Sequence, residues 1–234
     1  MTAGLADTDR PMTGLFPPTA PLLVIPDVTD PGAGRHWETA LRSAGWAGPV
    51  MVADLPGHGR AAPPADGNYE MAEVIAALRA LHGAGDDPAV VLGEKGSGWT
   101  AQVMALAGRT CGLVLVDGLG GPWLAPAEVI AGWRRWLRDL ADDQDALGPA
   151  PPAGPDPRLA HRRPTQNSRE QAERAAALVK VPTLVIETPA SALTPSEAAE
   201  LAGQFGLGVL RRVASRAEAS AVLVGLAAEP TPPA

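Results

Sequence analysis

The chain has 234 residues and a mass of 24.0 kDa, which is enough for one sizeable domain or two small ones. It is 46% hydrophobic with a mean hydropathy of +0.02, so the composition predicts a packed core and excludes a chain that is disordered throughout. The formal net charge of −7 argues against nucleic acid or an anionic membrane as the main partner.

Cysteine content and hydropathy indicate in which cellular compartment the protein is expected. Cys111 is the only cysteine, which excludes an internal disulfide framework and any multi-cysteine metal site. No apolar run approaches the ~18–20 residues that a bilayer span needs. The first residues lack the basic region and following apolar stretch of a secretory signal. We therefore expect a cytoplasmic globular protein.

Strand and helix patterns alternate through the first half of the chain. Short buried strands are predicted at 21–25, 49–53, 89–92 and 113–116, and helices at 36–43, 69–81 and 99–107. Asn68 is placed to cap the second helix, and a glycine-rich turn at 93–98 separates the third strand from its helix. This order predicts a parallel sheet with helices on both faces.

The second half interrupts the alternation and then resumes it. Residues 128–140 form an amphipathic helical pattern, and the proline-rich stretch 148–164 is typical of a linker or mobile loop. Further strands are predicted at 183–186 and 209–213. Three capping-box spacings predict helix starts, at Ser168 and Gln171, at Thr194 and Glu197, and at Ser215 and Glu218.

Four segments, in this order, carry a resemblance. Residues 50–60 (VMVADLPGHGR) are similar to a strand and loop written DxPGHG in many enzymes of one superfamily, and residues 90–98 (VVLGEKGSG) stand where it has a strand and the turn bearing the nucleophile. Residues 113–117 and 181–186 are similar to its next strand and to the strand before its catalytic acid. Over about 21–228 the chain resembles the α/β-hydrolase superfamily.

The resemblance implies an α/β fold with a doubly wound, mostly parallel sheet of about six strands, helices on both faces and a short helical lid. It divides the chain into a flexible N-terminal segment at 1–19, a first core part at 20–120, a helical lid with a proline-rich linker at 121–167, a second core part at 168–228, and a tail at 229–234.

The catalytic triad of that superfamily has no complete counterpart here. Its chemistry depends on Gly-x-Ser-x-Gly, and Lys95 occupies the serine position. Shifting the register to Ser97 places Lys95 at the first glycine position. The family's histidine follows the last strand, where this chain has 214–216 without histidine, and Glu187 stands nearest the acid position. Serine hydrolysis by a degenerate triad is therefore not expected.

Lys95 is the first candidate for chemistry, with Glu94 and Asp117 assisting. A lysine can form a Schiff base with a carbonyl compound, and an acid such as Asp117 paired to it could act as a general base. The alternative is that Lys95 is a solvated or ion-paired side chain in a pseudoenzyme. Carboxylates that follow predicted strands lie at the edge where α/β proteins bind ligands, although short polar residues commonly end strands.

Five further residues are predicted to line a ligand pocket under the lid: Asp27, His36, Trp99, Trp123 and Glu187. Trp123, with Trp133 and Trp136, could line an apolar pocket or contact a second copy in a homodimer. No two candidate metal ligands show a recognised spacing, and no cofactor motif is complete, so neither a metal nor a cofactor is expected.

Two functions remain open from the sequence. The first is a triad-less protein that binds a small apolar or carbonyl-bearing molecule, or a protein partner, without serine hydrolysis. The second is a non-hydrolytic enzyme of the lyase, cyclase or decarboxylase type in specialised metabolism, in which Lys95 is a Schiff-base nucleophile or general base. An esterase-like hydrolase with an unrecognised site is a further alternative.

Overall fold

The computed structural model describes residues 14–27, 30, 33–57, 61–67, 69–82, 87–118, 169–191 and 193–228. The predicted lid, with Trp123, Trp133 and Trp136, lies outside these residues, as do Asn68 and Ser168. None of the described helices is long and apolar enough to cross a membrane.

Six parallel strands form a single sheet in the order β2-β1-β3-β4-β5-β6. The strands are β1 (Leu22–Ile25), β2 (Val50–Val52), β3 (Ala89–Glu94), β4 (Thr110–Val116), β5 (Thr183–Glu187) and β6 (Gly208–Arg212). Their apolar runs are continuous rather than alternating because both faces of the sheet are covered. Every residue of β1 and β3 is buried, which confirms the predicted parallel sheet with buried strands.

Among the described residues, six helices cover the two faces of the sheet. They are α1 (Ala33–Ala44), α2 (Met71–His82), α3 (Gly98–Leu106), α4 (Arg169–Leu178), α5 (Pro195–Gln204) and α6 (Arg216–Ala227). Helices α1 and α6 pack against each other on one face, where Trp37 and Leu223 are buried. Helices α2 to α5 bury side chains such as Leu78 and Leu201 on the other face, so the sheet is doubly wound as predicted.

Two of the predicted helix caps lie at described helix starts, those of α5 and α6. At α5, Thr194 and Glu197 form a complete capping box, with Pro195 at the first helical position. At α6, Ser215 accepts a hydrogen bond from the Glu218 amide, but the Glu218 carboxylate accepts from the amide of Ala214 instead of that of Ser215. The capping box predicted at Ser215 and Glu218 is therefore confirmed for the serine hydroxyl. The Glu218 carboxylate bonds to the amide one residue before the one that a capping box uses.

The core begins earlier and one strand is longer than predicted. Phe16 is 1% exposed and the Leu15 amide donates to the carbonyl of Leu226, so the core includes residues that precede position 20. Strand β4 begins at Thr110, three residues before the predicted start, because Thr110 and Gly112 pair with the start of β3 across a register shift.

The strand order indicates where along the sheet a ligand is expected to bind. The chain passes from β1 to β2 on one side and returns to β3 on the other, so β1 and β3 form a topological switch point. In open parallel sheets the crevice beyond the carboxyl ends of such strands is where ligands bind.

Candidate functional site

An open cleft of about 410 Å³ lies at the carboxyl edge of the sheet. Its walls come from the last residue of β3 and from the segments that follow β3, β4, β5 and β6: Glu94, Lys95, Asp117, Thr188, Pro189, Ala190, Ala214, Ser215 and Arg216. The volume lies within the range of small-molecule sites. The cleft therefore combines apolar walls with four ionisable side chains.

Lys95 stands on the turn between β3 and α3, within a single 3-10 turn, Lys95–Ser97. Its φ of 47° lies in the left-handed region, which non-glycine residues seldom adopt. The side chain is 37% exposed, and its Nζ lies 3.3 Å from Oδ2 of the buried Asp27 at the end of β1. The ion pair of Lys95 is thus with Asp27, whereas the sequence analysis favoured Asp117.

The turn that carries Lys95 is held close to the sheet by its neighbours. A Cβ atom at Gly93 would lie 2.7 Å from Cβ of Ala101 and 2.7 Å from the carbonyl oxygen of Ser97, so only glycine allows α3 to approach this closely. Ser97 is buried, and its hydroxyl donates to the carbonyl of Pro26 at 2.6 Å. The Ser97 hydroxyl is therefore a structural link between β1 and the turn.

Glu94 is buried beneath the cleft and paired with an arginine from the other end of the chain. Nε and Nη2 of Arg216, the first residue of α6, both lie 2.7 Å from Oε1 of Glu94. Nη2 also lies 3.2 Å from Oδ2 of Asp30, and the second Glu94 oxygen accepts from the Asp27 amide at 3.2 Å. Burial opposes the charge of Arg216, but its bonds to Glu94 and Asp30 outweigh this and raise the guanidinium pKa.

Asp117 ends β4 with a φ of 58°, in the left-handed region that Asp and Asn tolerate best after glycine. Its two oxygens accept from the amide of Thr188 at 2.8 Å and from the hydroxyl of Thr188 at 2.9 Å. Burial raises the pKa of the Asp117 carboxyl above its ordinary value, against the lowering effect of the Thr188 bonds and of the Lys95 charge. Within the described part of the chain, no cation forms an ion pair with this carboxylate.

Three of the other predicted pocket residues, His36, Trp99 and Glu187, do not line this cleft. His36 is exposed on α1, and Trp99 is partly buried against the core on the α2–α5 face. Glu187 accepts from Nε of Arg212 at 2.6 Å, outside the cleft lining. Trp123 lies outside the described residues. Of the predicted site residues, the structure thus brings together Lys95, Glu94, Asp117 and Asp27.

Arg216 and Thr188 are cleft residues with hydrogen-bonding side chains that the sequence does not predict for the site. The sequence places Arg216 only at the start of a helix, where the helix dipole disfavours a cation. That conflict, together with an acid at the end of a buried strand, was the available signal, because buried carboxylates require a partner. Thr188 had no signal, since a single threonine after a strand is common.

No model of a known protein family matches the sequence, and no curated protein matches it significantly. Solved structures do match. Structures similar to this one include MenH from S. aureus, with a TM-score of 0.67 and 15% identity over 92% of this chain and 95% of that one. A loop variant of the haloalkane dehalogenase DbeA from Bradyrhizobium elkanii gives a TM-score of 0.65 and 18% identity over 91% and 90%.

NosK from Streptomyces actuosus is a third such structure, with a TM-score of 0.57 and 22% identity over 85% of this chain and 90% of that one. Identities this low establish the fold and nothing finer. The chain has the α/β-hydrolase fold, which confirms the predicted fold class.

Proposed function

We propose that this protein binds a small apolar or carbonyl-bearing molecule in the cleft at the carboxyl edge of the sheet, without serine hydrolysis. The observation that carries the proposal is the ion pair of Lys95. The side chain at the turn where this fold presents a nucleophile is a lysine whose ammonium lies 3.3 Å from a buried carboxylate.

Several observations on the described residues around this cleft argue against serine chemistry. The hydroxyl of Ser97 is buried and donates to a main-chain carbonyl, and the hydroxyl of Ser215 caps α6. The loop after β6 brings Arg216 to the edge, and a guanidinium remains protonated and cannot act as a general base. None of the described residues that line the cleft is a histidine. These features favour binding over hydrolysis.

The cleft retains the groups that a binding site needs. Pro189, Ala190 and Ala214 offer apolar surface, while Lys95 and Arg216 offer hydrogen-bond donors. An ammonium has three N–H donors, of which the described contacts of Lys95 use one. A carbonyl oxygen fits these donors, and an alkyl chain fits the apolar wall.

Ester hydrolysis tests the absence of a serine nucleophile. With p-nitrophenyl acetate and butyrate, we expect the wild type to show no saturable hydrolysis, and Ser97→Ala and Lys95→Met to give the same background rate. Saturable turnover that Ser97→Ala or Ser215→Ala removes would contradict the proposal and restore the esterase alternative.

A second candidate function is Schiff-base chemistry at Lys95, favoured by its left-handed backbone and its partial exposure in the cleft. An amine attacks a carbonyl only in its neutral form. In this structure Nζ of Lys95 contacts the Asp27 carboxylate at 3.3 Å, so the geometry favours binding.

Borohydride trapping separates these two functions. After incubation with aldehydes, ketones and keto acids and reduction, we expect peptide mapping to show no more adduct at Lys95 than at Lys180. Lys180 is the matched control, because among the described residues its Nζ donates to a main-chain carbonyl, that of Ala177, at an exposed position. Selective labelling of Lys95 would favour the enzyme.

A further inference from the structure

Two of the three guanidinium nitrogens of Arg216 contact protein carboxylates, and the third faces no described partner. Nε and Nη2 bond to Glu94 and Asp30, whereas Nη1 has no hydrogen-bond partner within the part of the chain that the structure describes. The side chain is 26% exposed and lines the cleft. Because the fork is planar and rigid, anchoring one edge fixes the direction of the remaining donors.

The charges of the two cations in the cleft are already compensated. Lys95 is paired with Asp27, and Arg216 is paired with Glu94, with both carboxylates buried. Each cation therefore offers hydrogen-bond donors to a ligand, but little unbalanced positive charge that would attract an anion.

Asp117 adds a negative charge that is not compensated in the same way. It lines the cleft, and its hydrogen bonds come from the neutral donors of Thr188. A carboxylate ligand that entered the cleft would lie near this buried carboxylate, and like charges at close range cost binding free energy when solvent is excluded. A neutral carbonyl accepts the same hydrogen bonds without that cost.

From these contacts we propose that Arg216 is a ligand-binding residue, held in place by Glu94, and that Asp117 restricts the cleft to uncharged acceptors such as amides, esters and ketones. The inference rests on the proposed function and narrows its ligand class. It assigns Arg216 Nη1 as a donor to the ligand carbonyl and Asp117 as the residue that disfavours carboxylates.

Matched probes test this specificity directly. Hexanamide, 2-heptanone and hexanoate share a pentyl chain. The amide and the ketone are neutral, whereas hexanoate carries a negative charge. In saturation-transfer NMR titrations at neutral pH, we expect the wild type to bind the amide and the ketone at least about tenfold more tightly than the carboxylate.

Asp117→Asn removes the negative charge of the Asp117 side chain with little change in its size. Asparagine tolerates the left-handed backbone, and its Nδ2 can donate to the hydroxyl of Thr188, which can reverse its role from donor to acceptor. We expect this variant to bind hexanoate about tenfold more tightly than the wild type, which lowers the preference for hexanamide over hexanoate.

Arg216→Lys tests whether Nη1 of Arg216 donates to the ligand carbonyl. It keeps a positive charge beside Glu94 but removes the planar fork, so we expect hexanamide affinity to fall about five- to tenfold while the fold, monitored by circular dichroism, is retained.

Three results would overturn the inference alone: hexanoate binding as tightly as hexanamide in the wild type, an unchanged ratio in Asp117→Asn, or unchanged amide binding in Arg216→Lys. If none of the probes binds to the wild type, the proposed function fails together with the inference.

Discussion

Replacing Arg216 with methionine is expected to lower the free energy of unfolding by about 3–5 kcal/mol, the cost typical of breaking a buried ion pair from one side. The loss is large because Glu94 is 2% exposed and would retain a charge without its cation. Urea unfolding followed by circular dichroism measures the change.

Arg212→Met is the matched control for this prediction. Arg212 also pairs with a glutamate at the end of a strand, Glu187, but its side chain is 50% exposed, and exposed pairs contribute ~1 kcal/mol or less. Adding Glu94→Gln to Arg216→Met removes the orphaned charge and is expected to recover part of the loss. Equal costs for Arg212→Met and Arg216→Met would contradict the assignment of Arg216 as a buried anchor.

The sheet could be predicted from the sequence because each strand is encoded locally. A run such as 113–116 is apolar at every position, which is the pattern of a strand buried on both faces. The predicted starts and ends were less accurate. Thr110 joins β4 only because the neighbouring β3 is there to pair with it, and local sequence does not contain that contact.

The residues at the strand ends could be predicted, but their partners could not. Asp27 and Asp117 follow β1 and β4, which both neighbour β3, so either could face Lys95. The choice depends on the left-handed backbone of Asp117, whose carboxylate is occupied by the amide and hydroxyl of Thr188. Asp27 is then the acid that meets the ammonium. Such a choice depends on a loop conformation that residue types alone do not specify.

Arg216 shows the same limit over a longer separation. It lies 122 residues from Glu94 along the chain, and the two meet only because β6 and α6 return the chain to the same edge of the sheet. The Ser215 hydroxyl caps the helix as the sequence predicts, yet that pattern gives no information on where the next side chain reaches.

Gly93→Ala is expected to destabilise the protein by about 3 kcal/mol and to displace Lys95 from Asp27. The added Cβ would lie 2.7 Å from Cβ of Ala101 and 2.8 Å from Cα of Gly98, and both atoms belong to the start of α3, which cannot yield without moving the turn. Thermal unfolding and hexanamide titration of the same preparation measure the two effects.

Gly96→Ala is the matched control, three residues along the same turn. A Cβ at Gly96 meets nothing within 4 Å, and its φ is not positive, so the alanine should be neutral or stabilise by up to ~1 kcal/mol through reduced freedom of the unfolded chain. If Gly93→Ala kept both stability and binding, the close approach of α3 to β3 would not be what positions Lys95. Because the cleft depends on that turn, we expect loss of stability and loss of binding to occur together at Gly93 and neither to occur at Gly96.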